Sequence, residues 1–444
     1  MKLLSNLLFL SLLLTSQVFA EKFDPKKIKF GKPSLEELKM TVFDLDTTAS
    51  AVYLFDKGYY NATSFRFTRT VRIKVLKKEG THHGDMVIYT PTKSDFDAVA
   101  INLENGEVVK EKLKRTNIHE EEPIKGDEVY KIHLPNVRVG TVIDLEYSYF
   151  GIPSSWHFQK EDPVIYSELN IESSPYWNFK QRMVGFEKVE TVGTNHWVAQ
   201  NVPAFAEEPI MNSAKNYITK IDFQLANVHI PQYGYYKEYA TDWEAVRNNY
   251  LESSFFGKVY QQGNVFLNGR AKEIEEMDVS DMQKARLCQE YISSKIRWNN
   301  RFSEYASSSY AQDFNKDHVG NSGTINLLLV SMLQKAGLRA YPIVMSTRSN
   351  GMILPFVVSP AMINYVAAIV YIDSETVFVD ATKPYLQPGI LPRYCLNGQG
   401  MIIHDNGVQW FDLASNNLNE ETTMSTIKFD EGEWIASLDR SFKS

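Results

Sequence analysis

The chain has 444 residues, 43% hydrophobic and 23% charged, the composition of a globular protein and not of a disordered one. Its formal net charge is −7 and it holds no run rich in Lys and Arg, which argues against nucleic acid and anionic membrane surfaces as partners. Cys288 and Cys395 are the only cysteines and lie far apart, so no disulfide framework holds the fold together.

Residues 1–20 have the layout of a cleavable secretory signal peptide. Lys2 supplies the positive start, residues 3–14 are almost continuously apolar, and Val18-Phe19-Ala20 offers small residues at the cleavage positions. The apolar stretch is shorter than the roughly 20 residues of a transmembrane helix. Glu21 follows the cut, where a lipoprotein would need a cysteine. Export by this route places the mature chain in the periplasm, at the cell surface or outside the cell. The apolar runs at 325–333 and 365–372 are too short to span, so no transmembrane segment is expected after the signal.

Residues 21–230 read as β structure. Phe65, Phe67, Val71, Ile73 and Val75 follow the period-two pattern of a half-buried strand, as do Ile143, Leu145, Tyr147 and Tyr149. Asn105-Gly106 between 98–103 and 107–109 signals a hairpin, because both residues tolerate positive φ. Helical periodicity is nearly absent, which predicts a large antiparallel β-sandwich.

From residue 231 the pattern changes. Residues 242–250 read as a helix, and a clearer one spans 281–296, where Ser280 and Gln283 form a capping box. Met282, Ala285, Cys288, Ile292 and Ile296 share one face of it, so Cys288 reads as a small buried hydrophobe. A third helix covers 324–336 and ends at Gly337. Strands at 340–345, 363–372 and 376–379 follow, giving an α+β domain. Residues 425–429 and 434–438 flank a turn at Asp430-Glu431-Gly432. A lone hairpin is marginal in water, so residues 399–444 read as the start of a further β domain that continues beyond the chain.

Most catalytic motifs are missing. The sequence has no Cys-x-x-Cys pair, no His-Glu-x-x-His, no glycine-rich phosphate loop and no Gly-x-Ser-x-Gly elbow, so no cofactor and no metal are expected. His82-His83 lacks an identifiable third ligand and reads as a solvated turn. Trp156, Trp177 and Trp197 sit among expected strands, where core packing is the default. A flat row of exposed rings would point to sugar instead.

One stretch is more specific. It runs KDHVGNSGTINLLLVSMLQKAG over 316–337 and AYPIVMSTR over 340–348, then INYVAAIV over 363–370 and VDATKPY over 379–385. This resembles the transglutaminase-like superfamily, with its papain-like core. In that family a cysteine opens a buried helix, a histidine stands on a following strand and an aspartate on the next. The resemblance puts Ser322 at the cysteine position, Tyr365 at the histidine position and Asp380 at the aspartate position. Serine needs an adjacent base, and tyrosine, titrating near 10, is a poor one at neutral pH. His318, four residues before Ser322, is the one local substitute. LPNVRVGTVIDLEYSY over 134–149 and PVIYSEL over 163–169 are similar to the β-rich module that precedes such cores in exported bacterial proteins. LPRYCLNG over 391–398 looks like the passage leaving the core, which makes Cys395 structural.

The resemblance implies a signal at 1–20, a β-sandwich at 21–230, a transglutaminase-like core at 231–398 and a β module from 399 to 444. It implies a non-catalytic protein with a degenerate triad, binding a protein, a peptide or a glycan. Two alternatives stay open: an active hydrolase or transamidase (a peptidase) using Ser322 or an unrecognised site, and a carbohydrate-binding protein.

Overall fold

The computed structural model describes residues 28–124, 127–208, 211, 213–262, 264–373, 375–414, 420–430 and 432–443. The signal assigned to residues 1–20 lies outside the described residues. The chain divides into two compact units. One takes in Met1–Ile210 and Tyr217–Phe223, the other Met211–Asn216 and Gln224–Ser444. Among the described residues no helix is long and apolar enough to cross a membrane.

The first unit is built on an eight-stranded sheet. Its members are β1 (Ala51–Asn61), β2 (Arg66–Val75), β4 (Asp95–Glu104), β5 (Glu107–Lys112), β8 (Val142–Phe150), β10 (Val164–Ile171), β12 (Glu190–Gly193) and β13 (His196–Val202), in the order β12-β13-β10-β1-β2-β8-β4-β5. Asn105 and Gly106 both take positive φ in the tight turn between β4 and β5, where Glu104 pairs with Glu107. One pair departs from the antiparallel expectation: β1 and β10 run parallel. More than a hundred residues separate them in sequence, ample chain for the crossover that a parallel pair requires. A three-stranded sheet joins β3 (Asp85–Thr90), β6 (Ile118–Ile124) and β7 (Asp127–His133). The short β9 (Ser155–His157) pairs with the first residues of β14 (Lys220–Ile230).

Strand alternation sends β2 side chains to two different cores. Phe67, Val71 and Ile73 enter an apolar core with Ala98, Leu145, Trp156 and Phe223. Arg72 and Lys74 face the other way and are buried too, because a second cluster there packs Leu38 of α1 (Leu35–Lys39) on Val99, Ile101 and Val142. Arg72 grips Asp144 with two bonds of 2.6 and 2.7 Å and Glu37 with two of 3.0 and 3.2 Å. Lys74 donates to the carbonyls of Leu38 and Gly140 at 2.7 and 2.5 Å, and burial pulls its ammonium down to about 8.

In the second unit, α2 (Trp243–Glu252), α3 (Gly257–Gln261), α4 (Val265–Glu275) and α5 (Asp281–Lys295) precede the central helix α6 (Ser322–Lys335). The capping box at Ser280 and Gln283 is formed. Cys288 and Ile292 are buried on α5, but Met282 is 39% exposed, since the first turn projects past the core edge. Helix α6 starts two residues earlier than the sequence reading has it. Asn321, and not a later residue, is the N-cap and accepts from Thr324 N at 2.7 Å. Every α6 residue from Ser322 to Leu333 is buried.

A five-stranded antiparallel sheet receives this helix. Its strands are β18 (Arg339–Met345), β19 (Tyr365–Ile372), β20 (Glu375–Val379), β21 (Gln399–Ile402) and β22 (Gln409–Asp412), in the order β20-β19-β18-β21-β22. Val344, Val366, Ala368 and Val370 share the core of α6. Ile343, Met345, Tyr365 and Ile369 share a second core with Leu391 and Cys395. Strands β21 and β22 were expected in a following module; they instead extend this sheet, because the free edge of β18 takes β21. Strands β23 (Glu420–Asp430) and β24 (Glu433–Lys443) pair only with each other among the described residues, and Met424, Ile427, Trp434 and Leu438 are exposed on them.

The Arg72–Asp144 pair gives a direct test. Asp144→Ala leaves the buried Arg72 with Glu37 as its one carboxylate partner, and is expected to lower unfolding free energy by about 3 kcal/mol. Replacing both, as Arg72→Met with Asp144→Leu, is expected to lose less. Urea denaturation of the three proteins measures it.

Candidate functional site

The start of α6 is held by the loop before it. Ser322 N donates to Arg301 O at 3.2 Å. Ser322 Oγ donates to Ser303 O at 2.7 Å and accepts from Ser303 N at 2.8 Å. Two residues on, Thr324 Oγ1 accepts from Ser307 N at 3.0 Å. Gly323 is needed here because a Cβ would lie 2.2 Å from Tyr305 O. The serine hydroxyl is thus committed to backbone, and its residue is 0% exposed.

Asp380 follows β20 and is 1% exposed. Its Oδ1 accepts from Thr382 N at 2.8 Å and Thr382 Oγ1 at 2.5 Å. Its Oδ2 accepts from Tyr365 OH at 2.7 Å and Asn326 Nδ2 at 3.0 Å. Asn326, from α6, also donates to Val366 O at 2.8 Å and accepts from Ala381 N at 3.0 Å. The pairing of Ala368 with Val379, continued along both strands, brings Tyr365 opposite Thr382, and their hydroxyls lie 3.0 Å apart. Burial holds the Asp380 carboxyl above its ordinary value despite the donors from Thr382, Tyr365 and Asn326. Burial, reinforced by Asp380, lifts the Tyr365 phenol well above its own, so tyrosine here is a neutral donor.

Of the three residues singled out from sequence, Tyr365 and Asp380 are hydrogen-bonded, whereas Ser322 bonds to neither. Phe302, next to Ser303, has its ring 5.9 Å from that of Tyr365 and 5.0 Å from that of Tyr394. His318 is in the left-handed conformation, and its Nδ1 lies 2.9 Å from Lys295 O. Both cysteines are buried and free. Burial pushes the Cys288 thiol up to about 12 and the Cys395 thiol well above its ordinary value. Asn326 and Thr382 are the residues that sequence reasoning missed. An amide inside the apolar run Ile325–Val330 was the available signal.

The first unit holds a separate cavity of about 660 Å³ lined by Asp56, Arg69, Tyr147, Tyr149, Trp156 and Lys160, among others. Arg69 forms a bidentate pair with Asp56, both bonds 2.8 Å, and reaches Tyr147 OH at 3.2 Å. Lys160 lies 2.7 Å from the same carboxylate, so two cations share one buried anion. Burial opposes ionisation of Asp56, and Arg69 and Lys160 overcome it, holding the carboxyl below its ordinary value. The sequence clue was Arg69, a cation on the inward face of a strand whose neighbours on that face are Phe67 and Val71. Trp156 and Trp197 are buried, at 4% and 5% exposure, so they form no exposed platform. His83 is buried, which corrects the reading of a solvated turn. His82, His83, Glu161 and Asp162 each bring a donor atom within 4.8 Å of the others.

Two outcomes follow from these charges. Tyr365→Phe removes a donor from a buried carboxyl and is expected to lower unfolding free energy by about 1–3 kcal/mol in urea denaturation. Glu304, in the loop over Ser322, is raised to about 7 by burial. A raised carboxyl stabilises the fold below its unfolded value, near 4.5, and that contribution disappears as pH rises through about 7. The contribution of Glu304 to unfolding free energy is therefore expected to fall as pH rises from about 4.5 to about 7, and Glu304→Gln is expected to remove that part of the pH dependence.

Residues 61–206 match the family model of a domain of unknown function with solved structure, DUF3857. No curated protein matches the chain. A candidate protease from Parabacteroides distasonis superposes with a TM-score of 0.51 at 13% identity, covering 75% of this chain and 67% of that one. A candidate cysteine protease from Cytophaga hutchinsonii gives a TM-score of 0.23 at 9% identity, over 80% of this chain and 100% of that one. The periplasmic domain of TgpA from Pseudomonas aeruginosa gives 0.22 at 11% identity, over 66% and 88%. The last two values are too low to carry an argument. The first is a likeness of fold alone: the chain shares its architecture with the Parabacteroides protein across three quarters of its length.

Proposed function

We propose that this is an exported, non-catalytic transglutaminase-like protein that works by binding a protein or peptide partner outside the cytoplasm. In this reading residues 1–20 are the signal, 21–230 a β-rich binding region and 231–398 the papain-like core, whose sheet β21 and β22 extend. Ser322, Tyr365 and Asp380 are the altered triad positions. The observation that carries the reading is the state of Ser322. Its hydroxyl is spent on both backbone groups of Ser303. The hydroxyl that meets Asp380 belongs to a tyrosine, which cannot take a proton at neutral pH. A transamidase or peptidase of this fold needs a thiolate or an activated hydroxyl beside a base. Both thiols are buried and held protonated by burial.

A second reading, binding of a glycan, draws support from the cavity at Arg69, Asp56 and Trp156, which joins aromatic faces to fixed polar groups. The buried tryptophans argue against a flat sugar platform.

Assay with glutamine-containing peptides and a primary amine is expected to give no turnover. Iodoacetamide at neutral pH is expected to label neither cysteine until the protein is unfolded. Turnover that disappears in Ser322→Ala would overturn the non-catalytic reading and establish the hydrolase.

A further inference from the structure

We propose that the first unit carries a binding site for a divalent transition-metal ion, zinc in the first instance, formed by His82, His83, Glu161 and Asp162. The two pairs are remote in sequence. The histidines lie in the 3₁₀ turn Glu79–Gly84 between β2 and β3, and the carboxylates in the loop before β10. One donor atom from each falls within 4.8 Å of the other three.

Hydrogen bonds from outside the cluster fix the far nitrogen of His82 and the far carboxylate oxygen of Asp162, so the proposed ligating atoms bond to one another. His82 Nδ1 lies 2.7 Å from Glu79 O, a carbonyl that can only accept, so Nδ1 carries the ring proton. A neutral His82 then turns the Nε2 lone pair toward Glu161 Oε1, 3.3 Å away. Lone pair facing carboxylate is repulsive unless a second proton or a cation sits between them. A charge-assisted N–H···O bond runs at about 2.7–2.9 Å. Two ligands on a tetrahedral zinc with bonds of about 2.0–2.1 Å stand about 3.3 Å apart. The His82–Glu161 spacing leaves room for an ion between them.

The inner pair is closer and hydrogen-bonded directly, through a proton that a bound ion would displace. His83 Nε2 is 2.8 Å from Asp162 Oδ2, and these residues are 6% and 5% exposed. Asp162 Oδ1 is already held by Ala51 N and Ser50 Oγ, both at 3.2 Å, which aims Oδ2 at the cluster. The histidine turn is tied to the same point: Leu76 N and Lys77 N both donate to Ser50 O at 2.9 Å. A Cβ at Gly80 would lie 2.3 Å from that oxygen, so the turn approaches as closely as glycine permits. Both ligand pairs therefore hang on Ser50–Ala51, and outer-shell bonds of this kind orient metal ligands. Two neutral imidazoles and two carboxylates balance a divalent ion, and mixed nitrogen and oxygen donors suit zinc over calcium or magnesium. Glu161 and His82 are exposed, which gives the ion a way in.

The test uses the whole mature chain without a histidine tag, treated with EDTA and dialysed. Titration calorimetry with zinc chloride and metal analysis after gel filtration are expected to give one zinc per chain and a raised melting temperature. Cobalt(II) is expected to show the visible absorption of a tetrahedral centre. His82→Ala and Glu161→Gln alter exposed ligands, and each is expected to weaken zinc at least about 10-fold while leaving the circular dichroism unchanged. His133→Ala, in an exposed His–Asp pair elsewhere in the unit, is expected to change nothing. Failure of the stripped protein to take up zinc, or uptake unaltered in both ligand variants, overturns the proposal and leaves an ion-paired cluster.

Discussion

Asp380 is taken almost wholly out of water, and a buried carboxyl must find donors within the protein or destabilise the fold. The four that meet it come from three places: Thr382 beside it, Tyr365 at the head of β19 and Asn326 on α6. Asn326 also closes onto Val366 O and Ala381 N, so one amide ties the central helix to β19 and to the segment just after β20. Helix α6 is buried on every side over three turns, and dispersion alone would leave its rotation weakly defined. The polar contacts fix it. Removing any of them leaves a buried group unsatisfied, which is how such networks specify one arrangement.

The same contacts set the chemistry the site can perform. Acyl transfer needs a nucleophile that can lose a proton and a base that can accept it. Here the hydroxyl at the helix start is consumed by Ser303, and the group facing the carboxylate is a phenol kept neutral by burial. Phe302 and Tyr394 pack over that phenol. The buried carboxyl orients a tyrosine here, and the yield is rigidity.

In the first unit, polarity is organised by the two faces of one sheet. On one face Arg69 sits among aromatic rings at a cavity and shares Asp56 with Lys160. On the other, Arg72 is enclosed with Asp144 and Glu37 beneath the N-terminal segment. Three positions along β2 separate these environments, because alternate residues of a strand face opposite ways. The first cluster borders open space and suits recognition. The second is closed and holds α1 to the sheet.

Local signals were legible in the sequence because each is written within a few residues. Ser280 and Gln283 announce α5 through reciprocal hydrogen bonds to adjacent backbone. Asn105-Gly106 announces a turn through its tolerance of positive φ. The apolar run around Leu328 announces a buried helix, though it starts two residues earlier than expected because Asn321 supplies the cap. Tertiary structure alone decided what those elements bring together. Asn326 meets Asp380 across 54 residues, His82 and His83 meet Glu161 and Asp162 across 79, and β1 lies beside β10 across more than a hundred. It also carried β21 onto the edge of β18 and sealed Ser322 under Ser303. Such meetings depend on strand register and on which face of an element is buried. Those are properties of the whole packed chain, and no spacing along the sequence encodes them.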